Sequence, residues 1–289
     1  HRELLDYIVS LDLNTKIEVS HKIIEESLRI AKTLFGEAKP LVGFSGGKSS
    51  LVVLDLVLEH VPRDELVVFY ANTLNEYPGN RDYVIRVVKE HYGVRRLVEA
   101  VPTHIVAPLA IWRMFGFPKP SRDRYYTPVC CVLLKELPLK IVIEKYNINI
   151  DFNGLQAIES RSRLGSLADN GLVRRTKYIG REVTLKKAII RVAPVGLWTN
   201  DDIWEYIREK KLPVNPVYER YGIQRQGCIV CTNVIRWEEH IAKYNPRLVD
   251  IVKRRMEEWG VQVERVRFKN IMERLEVDDP GKLYRIIEH

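Results

Sequence analysis

The sequence predicts an α/β fold, in which a parallel twisted sheet has helices on both faces and a smaller helical part follows at the C-terminal end. Three observations predict it. Short runs rich in Val, Leu, Ile and Phe recur between residues 40 and 193. Segments of helical periodicity separate these runs, as expected for βαβ units with right-handed crossovers. The 289 residues are also enough for one large domain and a smaller one.

The N-terminal segment, residues 1–37, is predicted to be helical because its apolar side chains recur at helical spacing. The region 38–196 is predicted to be the sheet domain. Its expected strands are residues 41–44, 65–70, 96–101, 148–155 and 188–193, and its expected helices are 50–60, 80–91 and 131–146. The polar and basic stretch Gly165–Lys187 is expected to be a mobile excursion.

The C-terminal region, residues 197–289, is predicted to be mostly helical. Thr199 has the residue type of a helix N-cap, and the acidic Asp201 and Asp202 follow it, which favours a helix as far as Lys210. Pro246 suits the first position of another helix. The parallel sheet is therefore expected to end near Gly196.

The net charge of +8 and the pI of about 9.2 favour a polyanionic partner, such as a nucleotide or RNA. A solvated basic surface would explain the charge equally well. Scarce Gln together with abundant Arg and Glu is typical of proteins from thermophiles. No apolar run reaches the ~18–20 residues needed to cross a bilayer. We therefore expect no membrane partner and a cytoplasmic location.

The segment LVGFSGGKSSLVVLDLV, residues 41–57, places a glycine-rich turn between a predicted strand and a predicted helix. Backbone N–H groups at such a helix start form an anion site, and glycines let a phosphate approach closely. A plain glycine-rich turn is the alternative. A Walker A loop needs four residues between its first Gly and its Gly-Lys, but only three follow Gly43 here. The spacing favours a pyrophosphate loop over a kinase or GTPase loop.

The four cysteines form two close pairs, Cys130-Cys131 and Cys228-x-x-Cys231. Adjacent cysteines are poor disulfide partners because the geometry is strained. The spacing favours four ligands of one centre. Two unrelated sets of buried thiols remain the alternative, and tetrahedral zinc competes with an iron–sulfur cluster as the ligand of such a centre.

Six motifs together resemble one family. They are FSGGKSS, VVFYANTLNEYPGNRDYV, CCVLLKELPLK, NGLQAIESRSR, VAPVGLWTNDDIWEYIREKKLPVNPVY and GCIVCT. In this order they resemble the phosphoadenosine-phosphosulfate (PAPS) reductase branch of the PP-loop superfamily, whose fold is adenine nucleotide alpha-hydrolase-like. The resemblance covers most of residues 40–235 and is to the iron–sulfur type with two cysteine pairs.

The resemblance implies an adenine nucleotide as ligand, either ATP or adenylyl sulfate or PAPS, with Mg²⁺ as a further candidate. It implies a [4Fe–4S] cluster on Cys130, Cys131, Cys228 and Cys231. Lys48 and Arg161 are the implied catalytic residues. The implied nucleotide-binding residues are Ser45, Gly46, Gly47, Lys48, Ser49, Ser50, Asn72, Thr73, Gly154, Glu159 and Arg163.

The sequence departs from the family pattern in four respects. Ser49 and Asn72 each stand where Asp is common, and Gln156 stands where Arg is expected. Reductases of this family attack the sulfate sulfur with a cysteine on a C-terminal tail. No cysteine follows Cys231 in this sequence.

Three functions remain open at this point. The first is ATP-dependent adenylation or sulfur transfer, which agrees with the loop, the four thiols and the absence of a later cysteine. The second is an adenylyl-sulfate or phosphoadenylyl-sulfate reductase, and the third is a non-catalytic nucleotide or redox sensor. An electron or sulfur donor protein is the expected protein partner, while RNA and a homo-oligomer stay open.

Overall fold

The computed structural model describes residues 2–123 and 125–289. Its strands are β1 (Pro40–Gly43), β2 (Val67–Ala71), β3 (Arg96–Pro102), β4 (Phe117–Pro118), β5 (Ile150–Phe152), β6 (Val173–Tyr178), β7 (Thr184–Val192), β8 (Val261–Gln262) and β9 (Tyr284–Glu288). Its α-helices are α1 (Arg2–Ser10), α2 (Leu13–Phe35), α3 (Lys48–Leu58), α4 (Asn80–Arg86), α5 (Pro108–Phe115), α6 (Val129–Cys131), α7 (Leu137–Lys145), α8 (Arg161–Asn170), α9 (Asn200–Glu209), α10 (Val217–Tyr221), α11 (Trp237–Ala242), α12 (Arg247–Trp259) and α13 (Phe268–Leu275). Short π turns span Val87–His91 and Val132–Glu136, and 3₁₀ turns span His104–Val106, Ala157–Glu159 and Pro280–Leu283.

Seven strands form one sheet, in the order β6-β7-β5-β1-β2-β3-β9, and β4 pairs with β8 separately. The strands from β7 to β3 run parallel to their neighbours. The two edge strands, β6 and β9, are antiparallel. The predicted parallel sheet is therefore confirmed. The chain order reverses at β1, which lies between β2 and β5, so a crevice opens at the carboxyl ends of these strands.

Helices cover both faces of the sheet, as predicted. Successive residues of a strand point to opposite faces, and Leu41 and Val42 show this in β1. Val42 packs in a core with residues of α2, α3 and α9, whereas Leu41 packs with residues of α7 and α13. Both side chains are fully buried. Strands that are buried on two sides give the continuous hydrophobic runs seen in the sequence.

The stretch Gly165–Lys187 has regular structure, so the expectation of a mobile excursion there is wrong. It contains the end of α8, all of β6 and the beginning of β7. Leu185 is buried in the core on the α7 face. β6 lies at the edge of the sheet, where exposed basic side chains protect against unwanted strand pairing. It therefore lacks the hydrophobic run that reveals a central strand.

The sheet also continues beyond Gly196. β9 comes from the C-terminal region and pairs with β3, with Ala100 opposite Ile286. The rest of that region is mostly helical, as expected, and contains α9 to α13. The proposed domain limits at residues 37 and 196 stay a prediction, with one strand of the last region lying in the main sheet.

The predicted helix 131–146 is interrupted by a π turn. Pro138 has no N–H with which to continue an α-helical ladder. Just before it, the Leu137 N–H donates to the carbonyl oxygen of Val132, five residues back. Such turns are frequent at functional sites. Across residues 2–123 and 125–289, no helix has the length and apolar character needed to span a membrane.

Candidate nucleotide and cysteine site

The glycine-rich loop follows β1 and leads into α3, at the crevice where the strand order reverses. Gly47 is the N-cap of α3, and Lys48 is its first residue. Gly46 has φ +83, and a Cβ atom there would lie 2.3 Å from Asn80 Oδ1. Glycine is therefore required at position 46 by both the backbone conformation and the available space.

Two buried asparagines hold the carbonyl oxygens of this loop. Asn80 Nδ2 donates to the Ser45 carbonyl at 3.2 Å, and Asn215 Nδ2 donates to the Gly46 carbonyl at 3.0 Å. Asn215 Nδ2 also lies 2.7 Å from Asn80 Oδ1. Because these hydrogen bonds fix the carbonyl groups of the loop, the N-terminus of α3 is held towards the crevice. In the sequence, Asn80 resembles an ordinary residue at a helix start and Asn215 an ordinary Asn-Pro turn residue, so this role cannot be predicted from either.

The serines of the loop have different partners. Ser50 Oγ donates to the Gly47 carbonyl at 2.9 Å and lies 3.4 Å from Ser45 Oγ. Ser49 Oγ donates to Gln156 Oε1 at 2.7 Å. Gln156 is fully buried, and its Nε2 donates to the Trp198 carbonyl. Ser49 and Gln156, which both depart from the family pattern, are thus in direct contact.

Lys48 provides the positive charge of the loop. Its side chain is 4% exposed, and its Nζ donates to the Gln224 carbonyl at 3.1 Å. Burial, and then the neighbouring Arg225, lower the pKa of Lys48 to about 8. An anion in the crevice would stabilise the charged ammonium, because it would oppose both effects.

A cavity of about 510 Å³ extends from this loop to Cys228. Nine of the predicted nucleotide-binding residues line it: Ser45, Gly47, Lys48, Ser49, Ser50, Thr73, Gly154, Glu159 and Arg163. Cys228 and Lys135 line the same cavity. A Cβ atom at Gly154 would approach the Ser49–Ser50 backbone to 3.0 Å, so glycine there allows close contact with the loop.

Three of the predicted catalytic and nucleotide-binding residues are not among the described residues that line the cavity. Arg161 is exposed at the start of α8 and is not among the described residues that line the cavity. Asn72 turns towards the buried Glu99, to which its Nδ2 donates at 2.7 Å. Gly46 supports the shape of the loop without lining the cavity. The catalytic and binding roles of these residues stay predictions.

A cationic cluster also lines the cavity. Arg163 forms an ion pair with Glu159, and Arg225 Nε lies 3.9 Å from the same carboxylate. Burial, and then Arg225, lower the pKa of Arg163 to about 10. A bound anion would relieve the repulsion between the two guanidinium groups.

The four cysteines are free thiols, and one of them, Cys228, lines the cavity. Cys130 and Cys131 lie in α6, whereas Cys228 and Cys231 lie in the loop after α10. A hydrogen bond from Cys130, and then the charges of Lys135 and Arg225, lower the pKa of Cys131 to about 6. Burial raises the pKa of Cys228. A hydrogen bond from the Thr73 hydroxyl partly lowers that pKa again.

Lys135 connects the two cysteine pairs electrostatically. The pKa of Lys135 is raised, first by Cys228 and also by the other three cysteines. Its side chain extends into the cavity, where water still reaches it. Among the described residues, no group of three or more His, Cys, Asp or Glu side chains is arranged to hold a metal ion. A four-cysteine metal centre therefore stays a prediction.

Several site residues are not evident from the sequence. Glu76 accepts hydrogen bonds from the Tyr70 hydroxyl and from Asn80 Nδ2, and burial raises its pKa. Glu136 lines the cavity, but its Oε2 is buried without a hydrogen-bond partner. Tyr218 also lines the cavity and contacts the loop. Isolated acids and tyrosines carry no sequence signal of such roles.

The sheet order and the position of the glycine-rich loop at its crevice define a doubly wound α/β protein. Among solved structures, the chain is similar to FMN adenylyltransferase from Candida glabrata in complex with FAD and inorganic pyrophosphate. The TM-score is 0.52 at 13% identity, over 83% of this chain and 78% of that chain. This similarity supports the fold.

The family follows from the sequence comparison. Residues 39–234 match the phosphoadenosine phosphosulfate reductase domain. The chain therefore belongs to this family, and the resemblance of its six motifs is confirmed.

Individual relatives include two adenosine 5'-phosphosulfate reductases. An uncharacterized protein of Methanocaldococcus jannaschii is 30% identical over 66% of this chain, which spans only 35% of that relative. The adenosine 5'-phosphosulfate reductase of Geobacillus kaustophilus is 28% identical over 65% of this chain and 70% of the relative. The enzyme of the same name from Staphylococcus epidermidis is 25% identical over 79% of this chain and 83% of the relative.

Proposed function

We propose that this protein binds ATP and uses it for adenylation or sulfur transfer beside an iron–sulfur centre. The observation that carries the proposal is that one cavity joins the phosphate loop to Cys228, one of the four cysteines. Lys48 lines one part of it, and Lys135 and Cys228 line another. A nucleotide whose phosphates lie at the loop would have its reacting end near the thiols.

The residues of the loop suit cleavage between the α- and β-phosphates. The N-terminus of α3 and the Lys48 ammonium would hold the pyrophosphate that leaves. Arg163 and Arg225 line the same cavity and would stabilise charge that develops at the α-phosphate. Mg²⁺ would enter with ATP, since it is commonly held by phosphates and few protein ligands.

The donor set fits a [4Fe–4S] cluster. It consists of four free thiols, and the positive Lys135 would offset part of the negative charge of their thiolates. Zinc, which four cysteines also suit, is the alternative, but adjacent cysteines are unusual among its ligands. Bound to these cysteines, the cluster would supply a site for electron transfer or for binding sulfur.

An adenylyl-sulfate or phosphoadenylyl-sulfate reductase is the second candidate, and the reductases among the relatives favour it. In this chain the only cysteines are the four proposed as ligands, and residues 232–289 contain none. A reductase reaction would therefore need a thiol from outside these 289 residues.

The net charge of +8 also supports an anionic macromolecular partner, with RNA as a candidate for the sulfur acceptor. An electron or sulfur donor protein is the expected second partner. Four reduced thiols are usual in a reducing compartment, which supports a cytoplasmic location.

The reaction can be tested with anaerobically purified, cluster-loaded protein. The protein is incubated with ATP and candidate acceptors, and separately with adenylyl sulfate plus a thiol donor. Release of pyrophosphate or AMP is the expected result. Sulfite would show the reductase instead, and tight nucleotide binding without either product would show a sensor.

Lys48→Ala, with the exposed Lys253→Ala as its matched control, tests the position of the nucleotide. The first change should weaken ATP binding at least ~10-fold, because it removes a charged phosphate contact. The second should leave binding unchanged. Equal affinities for both variants would show that the phosphates lie elsewhere. Stoichiometric zinc without iron in the purified protein would contradict the cluster.

A further inference from the structure

Tyr218 occupies an unusual place at the start of α3. Its hydroxyl oxygen accepts a hydrogen bond from the Lys48 backbone N–H at 2.8 Å. This N–H is one of the donors that a helix N-terminus would otherwise offer to a phosphate. Tyr218 is 8% exposed and lines the cavity. Its side chain therefore lies between the helix and the expected ligand.

The ring of Tyr218 is held in this position by packing. It meets the ring of Trp204 edge to face, with 5.2 Å between the centroids. It also belongs to a buried cluster with Tyr77 and Ile223. Because the ring is fixed on several sides, the hydroxyl cannot leave the Lys48 N–H without disturbing that cluster.

The hydroxyl group has a proton left for a ligand. Its oxygen accepts from the Lys48 N–H, and that bond does not use the phenolic proton. None of the described residues accepts the phenolic proton in a hydrogen bond. Burial raises the pKa of Tyr218, so the proton is retained at neutral pH.

We propose that Tyr218 is a phosphate-positioning residue, whose hydroxyl donates to a phosphate oxygen of the nucleotide in place of the Lys48 N–H. The N–H bond to its oxygen would polarise the hydroxyl and strengthen its donation. The contact extends the anion site from the helix end into the cavity. This inference rests on the proposed function, because it requires a phosphate at residues 45–50.

The opposite arrangement is a hydroxyl that competes with phosphate for the Lys48 N–H. The two arrangements predict opposite effects of removing the hydroxyl oxygen. A positioning residue strengthens phosphate binding, so its removal weakens binding. A competitor blocks the N–H, so its removal strengthens binding.

Tyr218→Phe removes only the hydroxyl, and Tyr221→Phe in the same helix is the matched control. Affinity is measured by calorimetry for ATP, inorganic pyrophosphate and adenosine, using the cluster-loaded protein. We expect Tyr218→Phe to weaken ATP and pyrophosphate binding about 10- to 100-fold, as for loss of a hydrogen bond to a charged group. Adenosine binding and the Tyr221→Phe variant should be unchanged.

Unchanged or tighter pyrophosphate binding by Tyr218→Phe would overturn the inference. If Tyr218→Phe does not fold, 4-aminophenylalanine at position 218 keeps the ring and an N–H donor at the same reach, and it should bind pyrophosphate within about 5-fold of the unmodified protein, with a larger loss counting against the inference. Failure of the unmodified protein to bind ATP would refute the proposed function itself. The two failures are therefore distinguishable.

Discussion

At the scale of single residues, Ser49 and Gln156 form one altered contact instead of two separate changes. The family pattern has an acid at the first position and an arginine at the second, which are opposite charges. Here Ser49 Oγ donates to Gln156 Oε1 at 2.7 Å, so two neutral groups replace them. The missing acid at residue 49 consequently does not leave an unbalanced arginine behind the loop.

This contact predicts that mutations of Ser49 and Gln156 have non-additive effects on the free energy of unfolding. Gln156 is fully buried, so Gln156→Arg alone should lower the free energy of unfolding by about 3 kcal/mol, because it places an unpaired charge in the interior. Adding Ser49→Asp should restore most of that loss by pairing the charge. Urea unfolding of both single variants and the double variant gives the coupling energy. Strictly additive effects would contradict the contact.

Glu136 predicts a stability that depends on pH. Burial, and then Cys131, raise the pKa of Glu136 from 4.5 to about 7 in the folded protein. A raised carboxyl pKa means that the ionised form is disfavoured by folding. The penalty is absent below pH 4.5, grows between pH 4.5 and 7, and is complete above pH 7.

Glu136→Gln should therefore raise the free energy of unfolding at pH 8.5, by up to about 3 kcal/mol at ~1.36 kcal/mol per pH unit. The gain should vanish near pH 4.5. Chemical unfolding at both pH values measures it, with the exposed Glu209→Gln as the control. A gain of the same size at both pH values would show that the charge is not its cause.

Gly46 predicts a steric effect on the loop. Gly46→Ala would force a Cβ atom to 2.3 Å from Asn80 Oδ1 at a φ of +83. We expect ATP affinity to fall at least ~10-fold and the free energy of unfolding to fall by about 1–3 kcal/mol. Gly165→Ala, in α8 with open space around it, should be neutral or stabilise by about 0.5–1 kcal/mol. Calorimetry and thermal unfolding compare the two variants.

At the scale of elements, Asp202 joins two helices. Its carboxylate accepts from the Thr199 N–H and from Lys16 Nζ, both at 2.6 Å, so it caps α9 and pairs with a lysine of α2. Lys16 is 1% exposed. Without Asp202 its ammonium would be buried with no counter-charge.

Asp202→Ala should therefore lower the free energy of unfolding by about 3–5 kcal/mol. Thr199→Ala removes only part of the cap and should cost about 1 kcal/mol. The exposed Asp201→Ala, in the same helical turn, should cost less than about 1 kcal/mol. Equal losses for Asp201→Ala and Asp202→Ala in urea unfolding would refute the role of the Lys16 pair.

The elements also show which features a sequence can predict. β1 and α3 are predicted because a buried parallel strand and an apolar helix give long hydrophobic runs around the glycines. β6 is missed because it is an edge strand whose Arg175 and Lys177 are exposed. β9 is missed because it is stabilised by pairing with β3, more than 180 residues away in the chain. No local pattern contains that information.

At the scale of the whole molecule, the same distinction applies to the site. The phosphate loop and the four cysteines are contiguous motifs, and they can be predicted from the sequence. Asn215, Tyr218 and Arg225 reach the loop only because the chain after α9 folds back over α3. Their side chains therefore become evident as neighbours of the loop only in the folded structure.

The position of β9 has a consequence for synthesis on the ribosome. The five parallel strands are present once residue 192 has been made, whereas β9 comes about 90 residues later. At ~5–20 residues per second, the nascent chain would expose the open edge of β3 for roughly 5–20 s. An unpaired edge invites pairing with another nascent chain. Chaperone protection during this interval would matter more for this protein than for one whose sheet closes in chain order.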